Sequence, residues 1–253
     1  MTTSRIRRAL LACAVGVSVS VAALAPAAVP AATPGHVAIE RQAVSTSRAG
    51  TDRTYELYRH FAPAKPVQWL ACKPIAYRIN AAAEPKGMTA VIKRVMSSIG
   101  DQTGATFVYA GRTTRTFASQ SFSRATPTIY FSFTSKHDVA GQHFAWPGEV
   151  GVGGPAAAWS SSSKGIFETA TYGRVLLYSG FHGPRTGKGA SWQSLITHEV
   201  GHALNLDHRT SKSDAMYPSL TGTSPGRFSA AEVKALKIVL KRQSCSYSAF
   251  AQL

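Results

Sequence analysis

The chain has 253 residues, of which 44% are hydrophobic, enough for the packed core of one ordinary domain and too many for wholesale disorder. Its formal charge is +16, from 28 Lys and Arg against 12 Asp and Glu. The cations are scattered and no nucleic-acid motif accompanies them, so they argue for a solvated surface that attracts anionic polymers and against specific nucleic-acid recognition.

The chain opens with Arg5, Arg7 and Arg8, then a mostly apolar run from Ala9 to Ala25, then small residues and prolines with A-x-A-like sites between Ala25 and Ala32. This order is that of a signal peptide, expected over 1–32, and the apolar run is short for a membrane anchor. The expected location is therefore secreted and extracellular, with Arg7-Arg8 leaving general and twin-arginine export both open. The leader holds three of the cations and no acid, so the remainder keeps +13.

Cleavage removes Cys13 and leaves Cys72 and Cys245. An even count in an exported chain favours one disulfide. Closing so long a loop stabilises the fold by about 5 kcal/mol on the chain-entropy model. The alternative makes Cys72 an inhibitory metal ligand in a prosegment, although Cys72 runs directly into the first core strand. Residues 33–68 are polar and aperiodic and read as a linker or prosegment. The folded domain is expected over 69–253.

Ile75 to Ile79 alternates and is rich in β-formers, which predicts a strand. Met88, Val91, Ile92, Val95, Met96 and Ile99 recur at helical spacing, predicting an amphipathic helix that ends near Gly100. Strands follow at Thr106–Tyr109 and at Thr128–Phe133, where Ile129, Phe131 and Phe133 share a face. Residues 141–165 are rich in Gly, Pro and Ser and hold a short edge strand near Ala156–Trp159. Another strand is expected at Arg174–Tyr178. After a Gly-rich loop at 182–190, a helix is expected from about Ser191 to Leu204, then irregular chain over 205–228. Ser229 and Glu232 have capping-box spacing and open a last helix through Leu240.

The stretch that carries chemistry is His198-Glu199-Val200-Gly201-His202-Ala203-Leu204-Asn205-Leu206-Asp207-His208. Histidines four apart on a helix project from one face, so His198 and His202 can share a Zn²⁺ ion. Glu199 beside them can reach a metal-bound water as general base. His208 supplies a third nitrogen once the chain has turned back. Three protein ligands with an open fourth position is the catalytic rather than the structural zinc pattern.

This spacing resembles the metzincin pattern H-E-x-x-H-x-x-G-x-x-H, and Asp214-Ala215-Met216-Tyr217-Pro218 resembles the Met-turn of matrixins. Trp69-x-x-Cys72-x-Pro74-Ile75-x-Tyr77 and the late Cys245 are similar to secreted bacterial matrixin-like proteases, in which the first strand and the C-terminal end are tied. The resemblance spans about residues 69–246. It implies an α/β fold of metzincin type: a twisted, mostly parallel sheet with one antiparallel edge, packed on two helices, plus a small C-terminal subdomain carrying His208, the Met-turn and the last helix. It further implies a zinc metalloendopeptidase with Met216 beneath the metal. An extended peptide would pair along the edge strand near Ala157, with Pro218, Ser219 and Leu220 lining the main specificity pocket. The implied partner is a peptide or protein substrate, with no specific nucleic acid, no membrane anchor and a monomeric chain.

Two departures stand out. Asn205 replaces the family's glycine at a position that needs a left-handed backbone, which Asn tolerates best among non-glycine residues. His137, Asp138, His143 and His182 do not reproduce the spaced ligands of a second, structural zinc, so one zinc ion is expected. The twelve scattered acids give no evident calcium cage.

Overall fold

The computed structural model describes residues 37–38, 67–69, 74–116, 127–135, 144, 148–162 and 165–240. The expected signal peptide, most of the segment 33–66, and Cys72 and Cys245 lie outside the described residues. In chain order the elements are β1 (Val37–Ala38), β2 (Ile75–Asn80), α1 (Met88–Thr103), β3 (Phe107–Thr113), β4 (Thr128–Thr134), β5 (Gly151–Ser162), β6 (Gly165–Tyr178), α2 (Trp192–Ala203), β7 (Ser219–Leu220) and α3 (Ala230–Val239).

Five strands form one mixed sheet in the order β3-β2-β4-β6-β5. The β2–β3, β2–β4 and β4–β6 pairs are parallel, and β5 pairs antiparallel with β6 at the edge. This is the metzincin-type architecture that the resemblance implied. The edge position of β5 also explains Pro155 within it, since a residue without an N–H is tolerated only where no ladder donor is needed. Both β5 and β6 run much longer than the expected 156–159 and 174–178. Their extension comes from cross-strand pairing between Gly151↔Leu177 and Ser162↔Gly165, with a bulge between Ala156 and Ala157, which local composition does not encode.

Side chains alternate across the sheet with period two. Ile75, Tyr77 and Ile79 of β2, Ile129, Phe131 and Phe133 of β4, and Val175 and Leu177 of β6 join the main core with the inner faces of α1 and α2. Each such fully buried side chain contributes about 1.5–3 kcal/mol. The opposite face carries Leu176 and Val152, which pack with Phe144 in a small second cluster.

All six apolar positions expected on α1 are buried. The helix does not stop at Gly100, however, but runs to Thr103. Gly104, not Gly100, adopts the left-handed conformation (φ 78°) and donates its N–H to the Gly100 carbonyl at 2.8 Å. A glycine ends a helix only when it takes that conformation; inside the helix it is merely tolerated. The C-terminal part is irregular except for β7 and α3. The capping box of α3 is present: Ser229 accepts from the Glu232 N–H, and the Glu232 carboxylate accepts from the Ser229 N–H. Among the described residues no helix is long and apolar enough to cross a membrane.

Candidate metal centre

The site is built on α2. Its N-cap is Ser191, whose hydroxyl accepts the Ser194 N–H at 3.1 Å. Nearly the whole helix is buried, so its apolar residues surround it rather than form one stripe. His198 and Glu199 are 0% exposed and His202 1%. Such burial of polar groups demands partners or a bound ion.

The C-terminus of α2 determines where the third histidine goes. Asn205 has φ 77°, the left-handed conformation expected of it. Its N–H donates to the His202 carbonyl at 2.8 Å, and the Leu206 N–H to the Gly201 carbonyl at 2.8 Å. This pair of bonds is a Schellman motif, which reverses the chain tightly. The Asn205 side chain also donates to the Val67 carbonyl at 3.3 Å, tying the turn to the segment that enters the sheet. The reversal brings His208 back over α2.

The three imidazoles converge. His202 Nε2 lies 3.0 Å from His198 Nε2 and 3.1 Å from His208 Nε2. His198 Nδ1 donates to the Ala215 carbonyl at 2.7 Å and His202 Nδ1 to the Leu206 carbonyl at 2.9 Å. A carbonyl only accepts, so the proton of each neutral ring sits on Nδ1 and each Nε2 presents a lone pair. Two lone pairs aimed at each other from 3.0 Å repel unless a cation lies between them. Tetrahedral ligation at about 2.0–2.1 Å separates donor nitrogens by about 3.3 Å, near what is observed. The residues therefore fit a zinc ion. Among the described residues these three histidines are the group that can hold a metal. His182 is exposed and apart from the cluster, while His137, Asp138 and His143 lie outside the described residues.

Electrostatics agree. Burial, and then the nearby His208, push the His198 imidazole from its ordinary 6.5 down to about 3, against the Ala215 bond that pulls it up. Burial, and then His198 and His208, hold His202 well below its ordinary value. Neutral imidazole is the metal-binding form.

Met216 is fully buried and packs directly beneath α2. A Cβ on Gly201 would lie 2.2 Å from Met216 Sδ, so the glycine in the motif is what admits the methionine. Two ties hold this turn. The Arg209 guanidinium pairs with Asp214 at 2.6 Å, and the Arg209 N–H donates to the Met216 carbonyl at 2.8 Å. The Glu232 carboxylate, 1% exposed, accepts the Met216 N–H at 2.7 Å and the Ala215 N–H at 3.2 Å. The same carboxylate caps α3. Sequence spacing identified Glu232 as a cap but not as the support of the peptide whose carbonyl orients His198.

On the sheet side, Glu199 lies against the start of β5. A Cβ at Gly151 would sit 2.4 Å from Glu199 Oε1, and one at Gly153 would sit 2.1 Å from the Glu199 carbonyl oxygen. The signal of this contact in the sequence is the run of glycines in Gly151-Val152-Gly153-Gly154. Ala157 pairs with Ala170 just past a bulge, four residues beyond Gly153 and so about 13 Å along the strand. Its side chain lies outside the described ones. Pro218 and Ser219 are half-buried, whereas Leu220 is 2% exposed and belongs to the main core. Ser219–Leu220 also forms a two-stranded antiparallel pairing with Val37–Ala38, with Val37 opposite Leu220 and Ala38 opposite Ser219.

The matrixin family model matches residues 68–237, about two thirds of the chain, including His198, Glu199, His202, His208, Met216 and Glu232. Among solved structures, the crystal structure of metalloproteinase-II from Bacteroides fragilis is similar over 70% of this chain and 56% of that one, at 10% identity and a TM-score of 0.42. This chain thus spans little more than half the length of that protein. No curated protein matches the chain.

Proposed function

Because the chain belongs to the matrixin family of zinc metallopeptidases, we propose that it is a secreted endopeptidase with one zinc ion held by His198, His202 and His208 and with Glu199 as general base. The observation that carries this reading is the convergence of three Nε2 atoms, two of which, on His198 and His202, are left unprotonated by their Nδ1 hydrogen bonds, with Glu199 buried on the same helix as those two. When bound, zinc supplies Lewis acidity, which acidifies water and polarises a scissile carbonyl. The protein's own work is positional. The Ala215 and Leu206 carbonyls fix the tautomers of His198 and His202. Glu199 accepts the proton of the attacking water and passes it to the leaving nitrogen. That carboxylate need not touch the metal, so its retention favours an enzyme over a binding module that has lost catalysis.

The substrate is a peptide or protein. Two features support an extended mode of binding. Among the described residues no strand pairs the outer edge of β5, which offers a backbone for strand addition, and the contact with Glu199 favours Gly151–Gly154 over Ala157 as the part nearest the scissile bond. On the other side, Ser219–Leu220 already carries an extended segment, Val37–Ala38, as an antiparallel strand. That pairing supports both a role of the Ser219–Leu220 backbone, beside Pro218, in substrate binding and the reading of 33–68 as a prosegment, of which Val37–Ala38 lie along the same wall. The basic-then-apolar leader supports secretion. The disulfide between Cys72 and Cys245 belongs to the same proposal.

The deciding experiment measures zinc content and turnover on the same samples. Glu199→Ala is expected to keep one zinc per chain while losing about 10² to 10⁴ in rate, and His208→Ala to lose zinc itself. Near-normal turnover in Glu199→Ala would remove the mechanism; full zinc in His208→Ala would remove the third ligand.

A further inference from the structure

From the contact between β5 and α2 we infer that Gly151 is a positioning residue for the Glu199 carboxylate: the missing side chain at this strand position is the seat in which the carboxylate rests. The inference rests on the reading of Glu199 as the base.

Glycine is costly inside a strand, where it adds backbone entropy and packs nothing, so a glycine there commonly marks a close approach. β5 spends two in alternation, at 151 and 153, around Val152, which packs on the far face with Leu176 and Phe144. Period two puts both glycines on the face that meets α2. The atoms they meet differ, and the difference separates their roles. At Gly153 a Cβ would lie 2.1 Å from the Glu199 carbonyl oxygen, 2.8 Å from its carbonyl carbon and 3.0 Å from its Cα. Those are backbone atoms of a helix anchored along its whole length, so Gly153 sets how close α2 comes to the sheet. At Gly151 a Cβ would lie 2.4 Å from Oε1, 2.7 Å from Cδ and 2.8 Å from Cγ of Glu199. Only the side chain is met there. A methyl at 151 leaves the helix in place and moves the carboxylate, whose residue is 0% exposed and has little room to swing.

Gly151 has no left-handed backbone, so alanine is conformationally admissible. Its effect should fall on the geometry of proton transfer. A misplacement of about 1 Å at a reacting group costs about 10²-fold in rate. His198 and His202 are held by the Ala215 and Leu206 carbonyls and not by β5, so zinc should be retained.

The test is a double-mutant cycle with Gly151→Ala and Glu199→Ala, reading kcat, KM, zinc content and the melting temperature of the metal-free protein. Alanine at 199 removes the Cγ, Cδ and Oε1 atoms that the new methyl would meet. Gly151→Ala alone is expected to lower kcat about 10²-fold with KM within about threefold, one zinc per chain and a melting temperature close to that of the parent. In the Glu199→Ala background the same change is expected to cost less than about threefold in the residual kcat, because the clash is gone. Gly153→Ala is the structural comparison and is expected to lower the melting temperature. Equal losses from Gly151→Ala in both backgrounds would overturn the inference, as would unchanged kcat. A fall in stability or folding matching that of Gly153→Ala would also overturn it, since the contact would then support the helix as a whole. Failure of the underlying reading is distinguishable, because it would appear as turnover retained in Glu199→Ala.

Discussion

Asn205 offers a direct test of how the chain reversal builds the metal site. The perturbation is Asn205→Ala, with Asn205→Gly as its partner. At φ 77° an alanine pays the left-handed penalty of about 1–2 kcal/mol, which asparagine offsets by local hydrogen bonding and glycine does not incur. Alanine also loses the side-chain bond to the Val67 carbonyl, worth about 1 kcal/mol. The sum is about 2–3 kcal/mol. At about 2–4 °C per kcal/mol for a domain of this size, the melting temperature should fall by about 4–12 °C. Glycine loses the bond but relieves the backbone, so its net change should be within about 1 kcal/mol. The His202 and Gly201 carbonyls receive the reversal bonds, so Asn205→Ala should also weaken zinc by loosening the return of His208. The assay is thermal unfolding of metal-free and zinc-loaded protein together with zinc affinity by competition with a chelator. Equal melting temperatures for the alanine and glycine variants would refute the reasoning, because the backbone conformation would then cost nothing.

Other outcomes follow from the same geometry. Glu232→Ala should leave three N–H groups without their acceptor, two buried ones on Ala215 and Met216 and a half-buried one on Ser229. It should destabilise the fold by about 3–5 kcal/mol and weaken zinc about 10- to 100-fold through the Ala215 carbonyl that orients His198. Zinc affinity equal to the parent's would show that His198 does not depend on this support. In the metal-free protein His198 is neutral in the fold down to about pH 3 but titrates near 6.5 when unfolded. The unfolded state therefore binds the extra proton between these values, so stability is complete above about pH 6.5 and declines as pH falls toward 3. Melting temperatures of chelator-treated protein that stay flat between pH 7.5 and 4.5 would contradict the burial of neutral imidazoles. Met216→Ala should open a cavity beneath α2 and cost about 2–5 kcal/mol, read by denaturant unfolding; a loss below about 1 kcal/mol would mean the turn collapses to fill it.

Much of this protein is determined by local pattern alone. The i, i+4 spacing of His198 and His202 places two imidazoles on one helical face whatever surrounds them, and Asn205 announces a left-handed residue because few others tolerate one. The alternation in β2 and β4 and the apolar stripe of α1 mark their buried faces for the same reason: periods of two and 3.6 are properties of the backbone. Tertiary structure decided what no window of sequence contains. The pairing of β5 with β6 lengthened both strands, and it brought Gly151 and Gly153 against Glu199. Glu232, a cap by its spacing, became a support of the Met-turn only when α3 packed beside it. Val37–Ala38 found Ser219–Leu220 across more than 180 residues of chain. Each of these joins groups remote in sequence, and a contact of that kind depends on shape and on the atoms left unpartnered when the core closes. Local propensity carries no record of either.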